Sequence, residues 1–318
     1  MLDRYGRRIS YLRVSITDRC NLRCAYCMPP EGVCMVQHRD ILSYEEITEI
    51  VAAAAGLGIE KIRITGGEPL IRPGVTELCR QIAAVPGIRE IAVTTNGLLL
   101  AEMAADLRAA GVNRVNVSLD TLDPEKYRKI TGGGDLHRVL DGLRAAAAAG
   151  LTPVKLNCVL IGGFNDGEIR DFVELSRVYP LEMRFIELMP IGPGAAFPEE
   201  AFLQGSAVLE RCPELEPLPA EAAGVACLYR LPDGKGRVGL INPLSCQFCS
   251  SCNRIRLTPE GALKPCLHRD TEIPVRGLHG QALQDAVAAA ILGKPAQHGE
   301  LDAHHASEAG REMYTIGG

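Results

Sequence analysis

Short β-branched runs alternate with longer amphipathic stretches from residue 11 to about residue 190. The runs YLRVSIT (11–17), KIRITGG (61–67), EIAVTTNG (90–97), RVNVSLD (114–120), PVKLNCVL (153–160) and EMRFIEL (182–188) read as strands. Between them, SYEEITEIVAAAAGLG, GVTELCRQIAAV, LAEMAADLRAAG, DLHRVLDGLRAAAAAG and DGEIRDFVELSRVY read as helices. Ser43, with Glu46 three residues on, forms a capping-box signature, and Gly150 marks a helix stop. Such alternation predicts a parallel sheet with right-handed crossovers. Six units fall short of a closed eight-fold barrel, so the expected fold is α/β, a partial (β/α)6 TIM-like barrel over residues 1–191.

From residue 192 the pattern changes to proline- and glycine-rich sequence, and residues 192–318 read as a C-terminal module. Within it, GVACLYRL and RVGLINPL suggest antiparallel strands and QALQDAVAAAILG a helix, while HGELDAHHASEAGREMYTIGG reads as a mobile tail.

The net charge of −5 argues against a general nucleic-acid surface, which needs a basic stripe. No eighteen-residue apolar run offers a membrane span, and MLDRYGRRIS lacks the apolar segment of a signal peptide. A cytoplasmic location is therefore expected. In a reducing compartment the twelve cysteines are not a disulfide framework.

Polar residues gather at the downstream ends of the strand runs: Thr17-Asp18, Thr65-Gly66-Gly67-Glu68, Thr94-Thr95-Asn96 and Ser118-Leu119-Asp120. In barrels of this kind those ends form the active-site mouth. CNLRCAYC (20–27) follows the first strand and places Cys20, Cys24 and Cys27 there. Three thiolates can hold three irons of a cubane cluster and leave the fourth open; a zinc site completed from afar, or buried free thiols, are the alternatives. A second group raises the same question: Cys249 and Cys252 form a Cys-x-x-Cys pair, Cys266 follows, and Cys246 precedes. Four ligands would close a zinc ribbon or a complete cluster, and three would leave a second open iron.

Arg13, Arg63, Lys155 and Arg184 interrupt otherwise apolar strands. Alternate strand residues share a face, so Arg13 lies with Ser15 and Thr17, and Arg63 with Thr65 and Gly67. Buried cations need counter-charge, which a triphosphate would supply to arginine's planar fork; solvent-facing strand residues or members of internal ion pairs are the alternatives.

CNLRCAYC followed by GGEP at 66–69 resembles the radical S-adenosylmethionine superfamily. FCSSCNRIRLTPEGALKPCL and the terminal IGG resemble the GTP 3′,8-cyclase family of molybdenum-cofactor biosynthesis. The resemblance implies two [4Fe-4S] clusters, one on Cys20, Cys24 and Cys27 and one on Cys249, Cys252 and Cys266. It leaves Cys34 and Cys246 without a role. Tyr26, Gly67, Ser118 and Met189 match the family's S-adenosylmethionine contacts; Arg13, Arg63, Thr94, Lys155, Arg254, Ile255 and Arg256 match its GTP contacts. Arg254 and Arg256 are also expected in the catalytic machinery, with Gly317 and Gly318 on a tail that orders when substrates bind. Implied partners are GTP, an electron donor such as flavodoxin or ferredoxin, and cyclic pyranopterin monophosphate synthase downstream, with no nucleic acid or membrane. The chain is expected to be a monomer or homodimer. Two other readings are a peptide-modifying radical enzyme with an auxiliary cluster and a non-catalytic zinc or redox-sensing protein.

Overall fold

The computed structural model describes residues 1–29, 32–33, 35–219, 224–246 and 248–317. Each β-branched run contributes a strand: β1 Tyr11–Ser15, β2 Lys61–Thr65, β3 Glu90–Thr95, β4 Arg114–Ser118, β5 Lys155–Leu160 and β6 Glu182–Glu187. They pair in chain order, all parallel. The crossovers carry α1 Tyr44–Gly56, α2 Val75–Ala83, α3 Leu100–Ala109, α4 Pro124–Thr131, α5 Leu136–Ala148 and α6 Ile169–Val178. The Ser43 hydroxyl accepts from the Glu46 amide at 3.2 Å and the Glu46 carboxylate accepts from the Ser43 amide at 2.6 Å, closing the expected capping box. Helix α4 was not expected. Its apolar side chains are too few for a periodic stripe, and it is started instead by Pro124 in the first turn and by the Asp123 carboxylate, which caps two amides.

The later segments are α7 Ser206–Arg211, β7 Glu216–Pro217, β8 Cys227–Arg230, β9 Arg237–Ile241, β10 Arg254–Leu257, β11 Ala262–Lys264, β12 Ile273–Pro274, α8 Gly280–Leu292 and α9 Met313–Ile316. Strands β8 and β9 are antiparallel, as the pattern suggested. Unexpectedly, β9 also pairs parallel with β6, and β10 pairs parallel with β1. Residues from the C-terminal part therefore flank both edges of the six-stranded unit, within one twelve-stranded sheet. Hydrophobic patterning could not reveal this, because β9 and β10 are too short to distinguish a ribbon from a barrel strand.

The core lies between sheet and helices. Leu12, Val14, Ile62, Ile64, Val93, Val115 and Val117 point outward from the sheet and are fully buried. Their neighbours on the strands point into the barrel and are polar, which leaves an interior built for a ligand.

The end of the chain departs from the expected mobile tail. Tyr314, Ile316 and Gly317 are buried, and Arg256 donates to the carbonyls of Ile316 and Gly317. Two apolar side chains and an arginine in need of acceptors hold it against the barrel. Among the described residues, no helix is long and apolar enough to cross a membrane.

Candidate active site

The barrel interior carries a layer of cations. In register, Arg13 lies between Arg63 on β2 and Arg256 on β10. All three are buried. Burial, followed by Arg256 and Arg63, holds the Arg13 guanidinium well below the ordinary arginine range. Arg63 is pushed down to about 9, by burial first and then by Arg114, Arg184 and Arg254, while Tyr11 opposes the shift. The Tyr11 ring supports Arg63 and Arg254 through cation–π contacts of 5.4 and 5.5 Å.

These arginines line a cavity of about 160 Å³ with Arg184 and Met189. Cys249, Cys252 and Cys266 line the same cavity, whereas Cys246 is exposed and lies outside it. A second cavity, about 600 Å³, opens at the strand starts and shares Arg63, Arg184 and Arg254 with the first. Lys155 lies there, 3.0 Å from both oxygens of Glu182. Arg184 and Arg237 also pair with Glu182. Burial opposes the Glu182 charge, but Arg184 and Lys155 outweigh it and hold the carboxyl at about 2. Lys155 is pushed down to about 7 by burial, with Arg184 next. Glu182 was missed, although its two-residue spacing from Arg184 placed it on the same face.

Orphaned polar atoms mark the interior as a ligand site. Arg63 Nε, Arg254 Nε, Thr94 Oγ1 and Asn157 Oδ1 are buried without a hydrogen-bond partner among the described residues. Each such group is costly unless a ligand or water satisfies it. Thr94 and Ser118 sit on the last turns of β3 and β4, outside the cavity lining.

The first cysteine loop packs against the GGEP turn. Gly67 N donates to Thr17 O, and Glu68 N to Arg19 O, each at 2.8 Å. A Cβ at Gly66 would stand 2.5 Å from Thr17 O, and one at Gly67 2.3 Å from Arg19 O. The glycines are thus required by the cysteine loop's own backbone, in addition to any room they leave a ligand. Glu68 is buried and fastens this turn to β3, accepting from Leu70 N, Thr95 Oγ1 and Asn96 N at 2.7–2.9 Å. Burial nevertheless pushes its carboxyl up to about 7. Across the loop, Tyr26 donates to Asp120 at 2.7 Å, and Asp120 accepts from Val159 N at 2.9 Å. Asp120 and Glu68 both belong to polar strand ends visible in the sequence, but their part in holding the loop was not.

Burial pushes up the thiols of Cys20, Cys24 and Cys27, the last to about 12. Thiolates at these positions therefore need a bound cation. Leu22 N lies 3.4 Å from the Cys20 sulfur and donates to it.

At the second triplet, burial raises the Cys252 thiol, but Lys294 and Arg254 outweigh it and the net shift is downward. Gly317 adopts φ +71°, and a Cβ there would meet the Thr65 methyl at 2.3 Å. Gly318 and Cys34 lie outside the described residues.

A family model described as the radical SAM superfamily matches residues 14–176, just over half the chain, and one described as Molybdenum Cofactor Synthesis C matches 181–300. GTP 3′,8-cyclase of Alkaliphilus oremlandii is 51% identical over 321 residues, covering all of both chains. The like-named protein of Moorella thermoacetica is 52% identical over 307 residues, covering 94% of this chain and 95% of that one.

The chain belongs to the GTP 3′,8-cyclase family of the radical SAM superfamily.

Family membership is consistent with the donor set: two thiol triplets, one at the mouth and one beside the arginine-lined cavity. The solved structure of Streptococcus suis SuiB matches with a TM-score of 0.63 at 14% identity, over 90% of this chain and 66% of that one. At that identity the likeness shows the fold alone.

Proposed function

We propose that this chain converts GTP to (8S)-3′,8-cyclo-7,8-dihydroguanosine 5′-triphosphate, cleaving S-adenosylmethionine to 5′-deoxyadenosine and methionine, in the first step of molybdenum-cofactor biosynthesis. The observation that carries this reading is one cavity lined both by Arg13, Arg63, Arg254 and Arg256 and by the second cysteine triplet, in a chain matched along its whole length by curated cyclases. Cys20, Cys24 and Cys27 hold the first [4Fe-4S] cluster, and Cys249, Cys252 and Cys266 the second. When bound, the first cluster and S-adenosylmethionine supply the radical that takes hydrogen from the ribose C3′ of GTP.

The chain's own residues bind and orient. Tyr26, positioned by Asp120, would hold S-adenosylmethionine together with Gly67, Ser118 and Met189. Arg13, Arg63 and Lys155 neutralise the triphosphate, while Thr94 and Arg254-Ile255-Arg256 contact the nucleotide. Arg256 also holds the terminal Gly317 segment inside the barrel. On this reading Gly317 and Gly318 belong to the catalytic machinery. The reaction needs an electron donor such as flavodoxin or ferredoxin, and its product passes to cyclic pyranopterin monophosphate synthase. A cytoplasmic monomer or homodimer fits this role.

Anaerobically reconstituted, reduced protein is expected to form 5′-deoxyadenosine together with a cyclised nucleotide from GTP and not from other nucleotides. Zinc without acid-labile sulfide in the purified protein, or cleavage that never consumes GTP, would sink the reading.

Lys155 adds a pH dependence. Its ammonium titrates at about 7, and a triphosphate beside it favours the protonated form. Nucleotide binding above that pH should therefore take up a proton, and affinity should fall as pH rises through and beyond it. Calorimetry of GTP binding in buffers of different ionisation enthalpy measures the uptake. It should vanish in Lys155→Gln; equal heats in all buffers for the parent contradict the assignment.

A further inference from the structure

Lys294 follows α8 by two residues and is 4% exposed. Its ammonium donates to Arg254 O at 2.8 Å and to Pro265 O at 3.0 Å. Arg254 lies two residues beyond Cys252 and opens β10, while Pro265 immediately precedes Cys266. One side chain thus ties together the two segments that carry these cysteines, and its charge favours the Cys252 thiolate.

Arg7 makes a comparable clamp on the opposite side. Its guanidinium donates to Cys249 O at 2.7 Å and to Pro295 O at 2.6 Å. Arg7 has a carboxylate partner in Asp3, at 2.6 Å. Lys294 pairs with no carboxylate among the described residues. A buried ammonium satisfied only by two carbonyls is costly unless nearby negative charge balances it. Cluster sulfurs and their thiolate ligands are the available source.

We propose that Lys294 is a positioning residue for the second cluster: it ties the Cys252 and Cys266 segments together, and its charge balances the cluster. The inference rests on the cluster reading above. A cation beside an anionic cluster stabilises the reduced form, so Lys294 raises the reduction potential. Its bond to Arg254 O couples the same side chain to the start of the nucleotide-contacting strand.

The test uses the full chain with Cys20, Cys24 and Cys27 replaced by alanine, so that paramagnetic resonance and redox titration read the second cluster alone. Lys294→Met should titrate at a more negative potential and lose iron to a chelator with about 10–100-fold weaker retention, the usual effect of removing an outer partner of a metal site. Lys294→Arg should remain close to the parent. Parental potential and iron retention in Lys294→Met overturn the proposal. If that variant does not fold, Lys294→Gln, which keeps a donor and drops the charge, decides: a negative shift supports the role and a parental potential overturns it. Absence of iron from the parent background overturns the cluster reading itself and the proposal with it.

Discussion

Cys252→Ala should retain reductive cleavage of S-adenosylmethionine while GTP cyclisation falls by a factor on the order of 10³ or more, and Cys24→Ala should abolish both. The separation follows from where the two triplets lie. Cys24 sits in the loop after β1 that packs against the GGEP turn, and among the described residues no hydrogen bond joins that loop to the C-terminal triplet. Cys252 lines the arginine-rich cavity, where a cluster with an open iron would help to orient the nucleotide. Holding two reactants in place contributes effective molarities of roughly 10⁵–10⁸ M, so loss of orientation is severe even when the radical source survives. Quantifying 5′-deoxyadenosine and cyclised nucleotide in the same reaction, with iron content measured for each variant, reads both effects. Equal loss of both products in Cys252→Ala, with the first cluster's iron retained, would contradict the division of labour.

Gly67→Ala should cost the fold as well as the activity. The new methyl would begin 2.3 Å from Arg19 O, an atom of the cysteine loop's backbone that cannot swing aside. Its accommodation would break the Gly67 N–Thr17 O and Glu68 N–Arg19 O hydrogen bonds that join the two loops. Overpacking of this kind costs roughly 1–3 kcal/mol, and a backbone obstacle puts it at the upper end. Gly56→Ala is the control, since a Cβ there meets nothing within 4 Å and its backbone is helical. Thermal unfolding and first-cluster iron content should both fall in Gly67→Ala and change little in Gly56→Ala. Parental stability in Gly67→Ala would mean the loops can separate.

The six barrel strands were legible because their β-branched runs are regular and their polar ends distinctive. Strand parity also placed Arg13 and Arg63 on the inner face that lines the cavity. Several features were not legible for physical reasons. Strands β9 and β10 owe their partners to long-range pairing, which local periodicity does not encode. Lys294 follows a helix stop in a segment that reads as surface, and its burial depends on carbonyls at residues 254 and 265. The glycines of GGEP pointed to a close approach, but only the tertiary structure identifies the approaching chain as the Thr17–Arg19 backbone. The tail read as disordered by composition, yet burial of Tyr314 and Ile316 holds it.

The parallel pairing of β1 with β10 sets an order of events during synthesis. Strand β1 ends at Ser15, while the partner for its far edge begins at Arg254. At roughly 5–20 residues per second, tens of seconds separate the emergence of the two from the ribosome. Throughout that interval one edge of β1 is bare, and the cysteine loop attached to it has no covering from the second half of the chain. A nascent chain therefore carries its first cysteine loop beside an open barrel wall, which closes only when translation is nearly complete.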